Sequence, residues 1–138
     1  MKLNLSLGQM NVHLGDPEQN FERVRDWTAE AARRGSALVL FPELWPTGYD
    51  LENWPKHADP LGEGMFARLS ALARAQHIAL ASSVLEARDG QAYNTFAIFD
   101  AEGSSRPYIA KCIWFPCWRN TSGLQRATNW NWSKQNGA

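Results

Sequence analysis

Leu3, Leu5 and Leu7 alternate with Asn4, Ser6 and Gly8 at the head of the chain, the period of a strand with one buried face. After Gly15 the period changes. Phe21, Val24, Trp27 and Ala31 recur at helical spacing. Asp16 suits the N-cap of that helix, Pro17 its first residue, and Gln19 completes a capping-box spacing. Arg33-Arg34-Gly35 closes it, with cations in the last turn and a glycine able to take left-handed geometry. The apolar run at 37–41 predicts a short strand buried on both faces. A loop with four prolines follows over 42–60, and then Phe66, Leu69, Leu72 and Ala73 mark a second amphipathic helix. Residues 78–85, 93–100 and 106–111 predict three more strands, with turns at Arg88-Asp89-Gly90 and Glu102-Gly103. The order strand, helix, strand, helix, strand, strand, strand implies an α/β layered fold, with helices stacked on one face of a mixed sheet.

A length of 138 residues bounds this to one domain. Fourteen basic and fourteen acidic side chains balance to zero formal charge, so nothing in the composition suggests a nucleic-acid partner. No apolar run reaches the ~18–20 residues of a membrane span. The first residues resemble neither a signal peptide nor a transit peptide. Cys112 and Cys117 lie too close together to suggest a disulfide framework, so a reducing, cytoplasmic setting is expected. All acidic residues precede Cys112, whereas the remainder of the chain holds Trp114, Trp118, Trp130 and Trp132. A solvated surface normally mixes both signs of charge, so the two segments differ in kind.

The sharpest chemical candidate lies in Phe41-Pro42-Glu43-Leu44-Trp45-Pro46-Thr47-Gly48-Tyr49. Glu43 stands just past a buried strand, where α/β sheets open their ligand crevices. Fenced by Phe41, Trp45 and Tyr49, its carboxylate would be partly desolvated and hold a proton more tightly, as a general base near neutral pH requires. Position alone favours the plainer reading, a solvated loop glutamate. Lys111 by itself likewise reads as a surface lysine at a strand end. His13, His57 and His77 are scattered and form no metal constellation.

These residues acquire a pattern together. The Glu43 segment, following Ala37-Leu38-Val39-Leu40, resembles the glutamate motif of the carbon-nitrogen hydrolases, the nitrilase superfamily. Leu7-Gly8-Gln9-Met10-Asn11 is similar to the family's first strand, and Gly15-Asp16-Pro17-Glu18-Gln19-Asn20 to its first helix entry. Tyr93-Asn94-Thr95-Phe96-Ala97-Ile98-Phe99-Asp100 resembles the hairpin before the catalytic lysine, and Tyr108-Ile109-Ala110-Lys111 stands where that lysine belongs. The resemblance covers about residues 2–111. It implies the N-terminal half of an α-β-β-α sandwich, followed here by an irregular C-terminal tail. It also implies a thiol-dependent hydrolase of a small amide, nitrile or carbamoyl amine, working without cofactor or metal, from a family that tends to homo-oligomers. Glu43 would be the general base and Lys111 the cation facing the tetrahedral oxyanion, beside a cysteine nucleophile.

That cysteine has no counterpart here. The family carries it some tens of residues after the lysine, in a Cys-Tyr-Asp or Cys-Trp-Asp elbow. Cys112 adjoins Lys111 and would face the other side of a continuing strand. Cys117 lacks both the intervening sheet and the following elbow, and is a poor substitute. The genetic code offers an account of the tail. If the reading frame slips by one base after Lys111, Trp114-Phe115 encodes valine, and Asn129-Trp130-Asn131-Trp132 encodes Leu-Glu-Leu with no freedom. The other codons permit a lysine followed by a His-Leu pair, an Ala-Glu-His segment and an Ala-Gly-Asp turn, which is similar to the family's continuation.

The chain is therefore expected to divide into residues 1–111, the N-terminal part of the hydrolase domain, and 112–138, a frameshift-derived tail that is poorly ordered beyond Pro116. As it stands it is expected to be truncated, inactive and prone to self-association. Leu38, Leu40, Ile78, Leu80, Phe96 and Ile98 are the candidates for a sheet face left without its partner layer. Two other readings compete: a short active hydrolase that recruits Cys117, and a non-catalytic binding or subunit-pairing module built on a genuine Trp-rich tail.

Overall fold

The computed structural model describes residues 3–112, and residues 105–112 by their backbone alone. The chain beyond Cys112, with the Cys117 segment and the tail expected to be poorly ordered past Pro116, lies outside the described residues. Five strands form one sheet in chain order: β1 (Leu5–Leu7), β2 (Leu38–Leu40), β3 (Ala79–Arg88), β4 (Gln91–Phe99) and β5 (Ser105–Cys112). The first three are parallel, and the last three form an antiparallel meander. Helix α1 (Pro17–Arg33) crosses from β1 to β2, and helix α3 (Gly64–Gln76) lies between β2 and β3. Both crossover helices lie on one face of the sheet, where α1 packs against α3.

Local signals account for these elements. Asp16 Oδ1 accepts the Gln19 N–H at 3.0 Å, Pro17 opens α1, and Gly35 follows its end at φ 73°. In the β3–β4 hairpin, Asp89 and Gly90 both take positive φ, the two-residue turn that matches strand twist. The 42–60 loop is not wholly irregular: it holds a 3-10 turn at Leu51–Asn53 and one turn of helix, α2 (Trp54–His57).

The core lies between the helices and one face of the sheet. Val24, Val39, Trp45, Phe66, Leu69, Leu80 and Phe99 form its centre. Each such side chain contributes about 1.5–3 kcal/mol on leaving water. Phe66, Leu69, Leu72 and Ala73 of α3 are buried as their spacing predicts. Trp27 of α1 remains 38% exposed, while Asn20 and Thr28 take buried places that hydrophobicity alone would not assign.

Three expectations about faces change. Leu3, Leu5 and Leu7 are exposed, at 60%, 49% and 66%, and Ser6 points to the helix side. β1 is one of the two edge strands, and among the described residues no layer covers the face its leucines share. β2 buries Val39 completely but leaves Leu38 and Leu40 half-buried. Leu38, Leu40, Phe96 and Ile98 do lie away from the helices, but Ile78 and Leu80 are fully buried in the core. Leu80 pairs in register with Val39, on the helix side.

Candidate active site

β2 ends at Leu40 while β3 continues to Arg88, so the chain leaving β2 turns beside the free stretch of β3. Phe41 N donates to Ala81 O at 3.0 Å and extends the parallel pairing by one bond. Leu44 then takes φ 50° and receives N–H bonds from Thr47 and Gly48, which curls 44–48 into a tight corner. Two adjacent serines of β3 pin that corner. Ser83 Oγ accepts the Leu44 N–H at 3.0 Å, and Ser82 Oγ accepts the Trp45 indole N–H at 2.5 Å. Neighbouring strand residues face opposite ways, so the two hydroxyls hold the corner from both sides of the sheet.

A second set of bonds fixes the outer side of the corner. Asn20, fully buried in α1, donates to Pro46 O at 2.9 Å and to His13 O at 2.7 Å, and accepts the His13 N–H. Gly15 N reaches Thr47 O at 2.9 Å. Trp45 packs between Phe21 and Phe41, with ring centroids 6.4 and 6.2 Å away. Gly8 leaves room for this cluster, since a Cβ there would lie 2.4 Å from the Phe41 ring.

Glu43 stands on this scaffold. Tyr49 donates its phenolic O–H to Oε2 at 2.9 Å, and the Asn94 amide donates from Nδ2 to Oε1. Each carboxylate oxygen thus holds one donor and keeps a lone pair. The bond to the carboxylate holds the Tyr49 phenol above its ordinary range, with some burial adding to the effect. The expected aromatic fence does not form. Glu43 is exposed, and Phe41 and Trp45 are drawn into the core on the helix side, leaving Tyr49 as the aromatic partner. The turn at Leu44 separates Trp45 from the carboxylate it follows in sequence.

Lys111 occupies the β5 position directly opposite Asn94. Directly opposed residues share a sheet face, so the register sets position 111 next to the amide that holds Glu43. Asn94 was visible in the sequence only as part of a hairpin motif, and its bond to Glu43 depends on strand register rather than spacing. Ser82, Ser83 and Asn20 likewise read as ordinary polar residues before the fold is known. Among the histidines, His57 pairs with Asp50 at 3.0 Å and His13 lies beside Arg23. Among the described residues no group of three His, Cys, Asp or Glu side chains is placed to hold a metal ion. No helix among them is long and apolar enough to cross a membrane.

The family profile described as carbon-nitrogen hydrolase matches residues 4–129. The chain belongs to the carbon-nitrogen hydrolase family. Among its relatives, the 2-oxoglutaramate amidase of Bacillus subtilis (strain 168) is 34% identical over 104 residues, covering 75% of this chain and 40% of that protein. The chloroplastic omega-amidase of Arabidopsis thaliana is 30% identical over 108 residues, covering 74% of this chain and 29% of that protein. An amidase of Nesterenkonia AN1 from the nitrilase superfamily superposes with a TM-score of 0.67 at 28% identity, over 77% of this chain and 42% of that one. This carbon-nitrogen hydrolase chain thus spans less than half the length of the relatives it matches.

Proposed function

We propose that residues 1–111 supply the base and the oxyanion-stabilising cation of a thiol-dependent hydrolase acting on a small amide, nitrile or carbamoyl amine. The observation that carries this reading is the placement of Glu43. It is held by Asn94 and Tyr49 at the end of a parallel strand, and Lys111 lies opposite Asn94 in the sheet register. In such a site the glutamate takes the thiol proton as sulfur bonds to the substrate carbon. The lysine faces the negative oxygen of the tetrahedral intermediate, and the protonated glutamate returns its proton to the departing amine. Water then cleaves the thioester with the same base.

The amidases among its relatives make an amide the favoured substrate class. The nucleophile is the missing part. Neither Cys112 nor Cys117 stands in a Cys-Tyr-Asp or Cys-Trp-Asp context, so these 138 residues alone form an inactive site. The test is hydrolysis of a small primary amide by this chain, compared with a chain whose codons are shifted by one base after Lys111. Turnover is expected only where the shift and its downstream codons restore a cysteine. Turnover by the present chain that disappears in Cys117→Ser would overturn the reading. One observation favours a second reading, a subunit-pairing module: Leu3, Leu5 and Leu7 are exposed together along the edge strand.

A further inference from the structure

Among the described residues, one buried side-chain nitrogen or oxygen has no hydrogen-bond partner: Asn94 Oδ1. Its orientation is fixed chemically. An ionised carboxylate only accepts, so Asn94 must present Nδ2 to Glu43, which turns Oδ1 away from it. Across β3 its register partner is Leu85, which is 2% exposed and offers no side-chain donor, and across β5 it stands opposite Lys111, described by its backbone alone. Folded proteins rarely leave a buried acceptor unmatched, and such exceptions recur where a ligand or water completes the bond. This one adjoins the carboxylate assigned as the base.

We infer that Asn94 is a specificity-determining residue of this site, whose Nδ2 positions Glu43 and whose Oδ1 accepts an N–H of a substrate carboxamide. A primary amide brings two N–H donors on the nitrogen that becomes the leaving group. A nitrile of the same carbon skeleton brings none, and would bury Oδ1 against a group that cannot satisfy it. Discrimination is strongest where a site built for a donor meets an analogue lacking it, because the protein's own polar group is then orphaned. Tyr49 acts differently, since its hydroxyl touches only the other carboxylate oxygen, Oε2.

The inference rests on Glu43 being the substrate-side base, and the experiment separates failure of one from failure of the other. The isotope-labelled 138-residue chain is titrated with butyramide and with butyronitrile, and the side-chain amide resonances are followed by NMR. The amide should bind about tenfold more tightly than the nitrile and shift the Asn94 amide signal. Asn94→Leu should abolish that preference, and Tyr49→Phe should retain it. Equal binding of the two ligands by the unmodified chain, or a preference that survives Asn94→Leu, overturns the inference and leaves the assignment of Glu43 standing. Failure of both ligands to perturb any residue near Glu43 overturns the inference and the assignment together. The unmodified-chain comparison decides even if Asn94→Leu does not fold.

Discussion

The indole of Trp45, with no exposed surface, donates its N–H to Ser82 Oγ across 37 positions of sequence. Neither residue takes part in the proposed chemistry, yet their bond anchors the corner that carries Glu43. Ser82→Ala leaves that N–H buried without an acceptor, at a cost of about 1–3 kcal/mol. Denaturant unfolding should show the stability falling by that amount, read as a lower midpoint with the slope unchanged. A neutral result would mean that the remaining bonds to the corner suffice to hold it without Ser82.

The Tyr49 phenol should titrate above its usual range, because losing its proton breaks the bond to Glu43 and sets two negative charges side by side. The contact thus adds stability below the ordinary phenol pKa and loses it as pH rises through the raised value. Glu43→Gln removes the neighbouring charge. Ultraviolet difference titration should then show one of the tyrosines shifting downward, and Tyr49→Phe should delete that same transition.

Glu30 bonds the guanidinium groups of both Arg33 and Arg34 at 2.7 Å, and the two together lower its pKa from 4.5 to about 2. A depressed carboxylate contributes above its unfolded pKa and loses that contribution as pH falls through the folded value. Thermal melts between pH 4.5 and about 2 should therefore fall more gently in Glu30→Gln than in the parent chain. High salt should shrink the difference, since all three groups are solvated.

Association should depend on the exposed edge. Leucines along an edge strand offer both apolar surface and the backbone groups of its open side to a second chain. Sedimentation should find the parent chain self-associated and a Leu5→Lys, Leu7→Lys double variant closer to monomer. An unchanged distribution would place the contact elsewhere.

Helix α1 was legible almost to the residue because its signals are local: Asp16-Pro17 at one end, Arg33-Arg34-Gly35 at the other, and Val24 and Ala31 between. The same holds for the Asp89-Gly90 turn. Glu43 and Lys111 stood out in the sequence through motifs alone, and the register brings position 111 opposite Asn94. What spacing could not give is which side of a strand is covered. The alternation of Leu3, Leu5 and Leu7 is real, but a period of two does not say where the helices lie. The fence around Glu43 failed for a related reason, because one left-handed residue at Leu44 sends Trp45 away from it. Asn94 was hidden because its bond to Glu43 joins residues 51 apart.

Ser82 and Ser83 give β3 a second role. Glu43 belongs to no strand, yet its coordinates are inherited from one, and β3 is hydrogen-bonded directly to the strand that carries Asn94. A single ladder therefore serves as the common ruler for both ends of the Glu43–Asn94 contact. The stretch between Tyr49 and β3 is released from that duty. Leu61 and Gly62, exposed and beyond the pins, form a place where the chain can gain or lose residues while the carboxylate keeps its address.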